Sequence, residues 1–113
     1  MTELAPFSPR LLKDRRPPGF ASLDFETRSA VDLTKTGVGP YCAHASTEML
    51  CFAYQLPDRQ YPETCFSGGD GHAQPLFDFV RAGGVVSAWN APFEFAVWGM
   101  LHLRYPDVWP ELP

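Results

Sequence analysis

From Phe20 to Thr27 the chain alternates without a break, with Ala21, Leu23 and Phe25 in one set and Ser22, Asp24 and Glu26 in the other. Residues two apart on a strand share a face, so this stretch reads as a β-strand with one apolar and one acidic side. The pattern constrains the fold more than any other feature of the sequence. The apolar face demands a layer packed on it, and Phe25 on that face fixes the register. The opposite face then sets the Asp24 and Glu26 carboxylates side by side.

A chain of 113 residues with a hydrophobic share of 45% has room for one small packed domain. No run of apolar residues reaches the length of a membrane span, and the N-terminal residues lack the apolar core of a secretory signal, so a cytoplasmic, membrane-free protein is expected. Three cysteines, Cys42, Cys51 and Cys65, fit reduced thiols. Together with His44 or His72 they lack the spacing of a zinc site.

Charge is divided unevenly. Residues 1–19 carry four basic and two acidic side chains, the remainder five basic and eleven acidic. An acidic body argues against broad nucleic-acid binding, which rests on Lys and Arg. The exception is a site where carboxylates recruit cations and the cations meet the phosphate.

Residues 1–19 read as a flexible leader with a basic cluster at Lys13, Arg15 and Arg16. After the first strand, residues 28–48 read as irregular. Met49–Leu56 reads as a buried strand and Gln60–Phe66 as its hairpin partner, followed by a loop at Ser67–Gly71. Leu76, Phe77 and Val80 recur at helical spacing over 73–82, and Gly83-Gly84 ends that helix. Val85–Trp89 is a short strand. A second helix runs from Phe93 to about Leu103, with Pro92 suited to its first turn and Trp98, Leu101 and Trp109 on a packing face. The order predicts an α/β layer fold with a mixed sheet.

Asp24 and Glu26 on one strand face repel each other, and burying them unpaired is expensive. A shared Mg²⁺ or Mn²⁺ removes that penalty. Thr27 offers a hydroxyl or amide next to them. Asn90 stands where a strand gives way to a helix, a position at which ligand crevices form, and it can cap the helix. Glu94 is well placed against the helix dipole. Each piece has a plainer reading alone: an exposed acidic strand, and a well-formed helix start.

Together, Asp24-Phe25-Glu26-Thr27 and Asn90-Ala91-Pro92-Phe93-Glu94 resemble the first two motifs of the DnaQ-like (DEDD) 3′–5′ exonucleases. The linking text, DFETRSAVDLTKTGVGPYCAHASTEMLCFAYQL, is similar to the exonuclease domain of phage-type family A DNA polymerases. The likeness spans roughly residues 20–110. It implies a ribonuclease H-like mixed sheet with flanking helices, and hydrolysis of the 3′-terminal phosphodiester of single-stranded DNA at a two-metal Mg²⁺ or Mn²⁺ site, as in proofreading. A polymerase domain would be the partner. It further implies that Asp24 and Glu26 hold the metals, with Asp24 bridging, and that Glu94 is the third catalytic acid. Phe25, Thr27, Asn90 and Phe93 would shape the pocket of the terminal nucleotide.

The family's third motif, a Tyr or His followed by an Asp, is not matched convincingly. His102 and Asp107 have the spacing of the histidine variant, but they follow Glu94 too closely, and Pro106 breaks the helix that would align them. The expectation is therefore an incomplete fold: residues 20–113 as the N-terminal portion of the domain, holding three of four acids and inactive alone. The alternatives are a non-catalytic remnant of that fold that binds nucleic acid or a polymerase, and a structural module in which Asp24 and Glu26 are surface charges.

Overall fold

The computed structural model describes residues 19–66 and 73–113. The leader up to residue 18, the predicted loop at Ser67–Gly71 and His72 lie outside the described residues. The elements run β1 (Phe20–Arg28), α1 (Leu33–Thr36), α2 (Val38–Ala43), β2 (Glu48–Gln55), β3 (Glu63–Phe66), α3 (Gln74–Arg81), β4 (Val85–Ser87) and α4 (Ala91–Arg104). The sheet order is β3-β2-β1-β4. β2 is antiparallel to both β1 and β3, while β4 runs parallel to β1. The mixed sheet with flanking helices agrees with the α/β expectation.

The alternation in β1 is realised directly. Ala21, Leu23 and Phe25 are buried, and Asp24 and Glu26 are exposed. In register, Phe25 faces Phe52 and Leu23 faces Tyr54, so the apolar faces of β1 and β2 coincide. The pairing slips once: Glu26 meets Cys51 but Thr27 meets Met49, which leaves Leu50 as the extra residue of a bulge.

The segment read as irregular holds two short helices. Asp32 caps the first, its Oδ1 accepting from the Thr34 amide at 3.0 Å and the Thr34 hydroxyl at 2.6 Å. Those bonds hold the Asp32 carboxyl below its ordinary pKa. Such short helices carry no apolar period for sequence analysis to detect, and Gly37, with a φ of 80°, links them.

α3 stops where the glycine pair predicts. The Gly83 amide bonds the Val80 carbonyl at 2.9 Å, and the Gly84 amide bonds that of Phe79 at 2.8 Å. With Gly83 at a φ of 92°, this is a Schellman cap. α4 is longer than predicted by two residues at its start and one at its end, and it terminates at Arg104, two residues before Pro106.

The core is built around Trp109. Its ring centroid lies 4.8 Å from Phe77, 4.9 Å from Trp98, 5.1 Å from Phe52 and 5.8 Å from Phe25. The chain after α4 therefore turns back and plugs the space between sheet and helices. The Trp98 Nε1 donates to the Pro110 carbonyl at 2.6 Å, and His102 Nδ1 lies 2.8 Å from the Trp109 carbonyl oxygen. Arg104 ties the end of α4 to the loop before β2, donating to the carbonyls of Thr47 at 2.5 Å and His44 at 3.0 Å. All three cysteines are free, and burial pushes the Cys42 and Cys65 thiols up. No helix among the described residues is long and apolar enough to cross a membrane.

Candidate functional site

β4 is short. It pairs with β1 only from Phe20 to Ser22, and beyond that point the far edge of β1 has no strand beside it among the described residues. A strand edge buried without a partner leaves backbone amides unsatisfied. The next element fills the gap. α4 begins just past the end of β4, and from its first turn Glu94 reaches the edge. Glu94 Oε1 accepts from the Phe25 amide at 2.8 Å. That bond brings the residues read as a second motif against those read as the first.

Glu94 is only 4% exposed. Desolvation pushes its carboxyl above the ordinary glutamate range. The Phe25 amide opposes the shift, and the charges of Asp24 and Glu26 add to it. Three carboxylates therefore feel one another at the junction of β1 and α4. Neither Asp24 nor Glu26 has a side-chain hydrogen bond or ion pair to any described residue. Their neighbours across β2, Ala53 and Cys51, are half-buried and offer no counter-charge.

The residues expected around a nucleotide divide into two groups. Thr27 and Phe93 meet at Tyr41, a buried residue of α2 that sequence reasoning passed over. The Thr27 hydroxyl lies 2.8 Å from the Tyr41 hydroxyl, and the Phe93 ring centroid is 6.4 Å from that of Tyr41. The Tyr41 carbonyl in turn accepts from the buried Thr47 hydroxyl at 2.6 Å. Phe25 and Asn90 differ from this pair. The Phe25 ring is core, 3% exposed against Phe52 and Trp109, so it meets the site through its backbone amide alone. Asn90 occupies the N-cap of α4, but the cap is made by its carbonyl, which accepts from the Phe93 and Glu94 amides at 3.0 Å each. Its side chain makes no capping bond and is exposed.

His102 and Asp107 do not join this group. The His102 ring serves the Trp109 carbonyl, and Asp107 lies in the exposed turn after α4, whose carbonyls face Arg81. No three His, Cys, Asp or Glu side chains among the described residues already stand as a metal cage. What the fold brings together is an exposed pair, Asp24 and Glu26, with the buried Glu94 bonded to the same strand. A cavity of about 600 Å³ lies elsewhere, between the start of β2 and the end of α4 near Met49, Phe52 and Arg104. Asp24 and Glu26 are exposed, away from that cavity. Comparison of the chain with family models, with curated proteins and with solved structures gave no match in any of the three.

Proposed function

We propose that this chain carries the first two motifs of a metal-dependent 3′–5′ exonuclease of the DnaQ-like type, on a ribonuclease H-like sheet, acting on the 3′ end of single-stranded DNA. The observation that carries the reading is the Glu94–Phe25 bond. It joins two sequence motifs at one strand edge and sets a buried acid behind two unpaired, exposed ones. The strand order, with β4 parallel to β1 and the helix leaving its carboxyl end, supports the sheet assignment.

Hard carboxylate oxygens with no counter-ion suit Mg²⁺ or Mn²⁺. Asp24 and Glu26 would hold the ions, and Glu94 would stand behind them through its second oxygen. The chemistry such ions supply is activation of water and neutralisation of charge on the departing oxygen. Asn90 presents a free side-chain amide to a nucleotide. Phe93 and Thr27, steadied by Tyr41, form the wall beside it. His102 and Asp107 stay outside this machinery, so the described acids amount to three of the family's four, and turnover by the 113 residues alone is low.

The test is a titration of the protein with Mg²⁺ and Mn²⁺, followed by digestion of a 5′-labelled single strand. Metal-dependent binding of the strand that Asp24→Ala abolishes is the expected result. Absence of metal binding refutes the nuclease reading. Brisk Mn²⁺-dependent digestion lost in His102→Ala or Asp107→Asn returns those residues to the site. The alternative reading is a binding module of the same fold that does not cut. Metal-independent strand binding is its signature.

A further inference from the structure

Trp89 is the most exposed large apolar side chain among the described residues, at 90%, whereas Trp98 and Trp109 are buried at 1% and 3%. A rigid indole left in water forfeits the burial that places the other two in the core. Its position is specific. It lies between the end of β4 and the N-cap Asn90, whose carbonyl bonds the amide of Glu94 at 3.0 Å, and Glu94 bonds β1 at Phe25. Trp89 thus stands next to the exposed Asn90 and five residues before the buried acid, just past the end of the strand that pairs with the start of β1.

The surroundings select the kind of partner. Asn90 and Pro92 beside it in the chain are exposed, as are Asp24 and Glu26 on the strand that β4 pairs with, so polar and acidic groups are presented at this end of the sheet. Protein docking surfaces centre such an aromatic among apolar neighbours. A nucleobase needs only a flat π-face at the right distance from a phosphate site, and stacking of this kind is indifferent to sequence.

We propose that Trp89 is a stacking platform for a base at the 3′ end of the strand, holding the terminal nucleotides while the phosphodiester lies at Asp24 and Glu26. The assignment rests on the nuclease reading above and adds to it a residue that positions the substrate. Trp89 is 90% exposed and makes no aromatic pair among the described residues, so its removal leaves the fold intact.

The experiment uses the whole chain with Mg²⁺ and a 5′-fluorescein dT12 strand, read by anisotropy. A second arm follows iodide-quenchable tryptophan emission with unlabelled dT12, since that emission belongs to the exposed Trp89. Stacking predicts that dT12 shields this emission. It also predicts that Trp89→Ala weakens binding roughly 5- to 150-fold, that Trp89→Phe restores most of it, and that a strand with two abasic 3′-terminal nucleotides binds wild type and Trp89→Ala alike. Equal binding of dT12 by wild type and Trp89→Ala, with Asp24→Ala still abolishing it, overturns the platform and leaves the nuclease reading standing. No binding of dT12 by the wild type overturns both.

Discussion

Glu94 offers the sharpest test, because one oxygen serves the fold and its charge opposes it. Replacing it by Ala removes the acceptor of the Phe25 amide, a bond of 2.8 Å in a buried setting. An orphaned buried donor costs about 1–3 kcal/mol, and the lost buried methylene adds roughly 0.8 kcal/mol. Replacing it by Gln keeps an acceptor carbonyl and removes the charge that burial, Asp24 and Glu26 all disfavour. Glu94→Gln is therefore more stable than Glu94→Ala by about 2–4 kcal/mol. For a domain of this size that is about 4–8 °C in Tm per kcal/mol. The wild type carries a pH dependence that Gln lacks. Its folded pKa is raised above the ordinary 4.5, so between those two values the folded state holds more protons than the unfolded one. Stability relative to Glu94→Gln is greatest below 4.5, falls as pH rises through the raised folded pKa, and is constant above it. Urea titrations by circular dichroism from pH 4 to pH 8, without divalent ions, measure both quantities. Equal midpoints for the Ala and Gln variants would show that Glu94 does not satisfy the strand edge. A pH-independent gap between wild type and Gln would show that its charge is not opposed.

Divalent ions should act on the same balance. Adding Mg²⁺ or Mn²⁺ at pH 8 raises the wild-type Tm by an amount set by RT ln(1 + [L]/Kd), and the rise vanishes in Asp24→Ala, as calorimetric melting will show. Trp109→Ala removes the ring at the centre of the aromatic cluster and costs about 3–5 kcal/mol, measured by urea unfolding. Tyr41→Phe deletes only the hydroxyl that meets Thr27, so a loss of about 0.5–1.5 kcal/mol is expected, with strand binding weakened if that wall touches substrate. Asp107→Asn leaves metal binding and strand binding unchanged, and a loss of either in a titration contradicts its place outside the site.

How much of this was legible in advance depended on the range of the interaction. The strand at β1 followed from local alternation, the end of α3 from two glycines, and the end of α4 from Pro106, all features read within a few residues. Two short helices between β1 and β2 were invisible because a single turn has no period, and Tyr41 was missed with them. The motif likeness pointed to Asp24, Glu26 and Glu94 as one group and also named Phe25, whose ring the alternation of β1 places in the core.

The sequence by itself determined that Asp24 and Glu26 share a strand face, since side chains two apart on an extended chain have nowhere else to go. It could not determine what stands beside them. That was decided by tertiary structure: β4 stops after three residues, the edge of β1 is left with an unpaired amide, and a buried backbone donor must find an acceptor. Glu94 supplies it, and a helix start far away in sequence becomes the back wall of an acidic site.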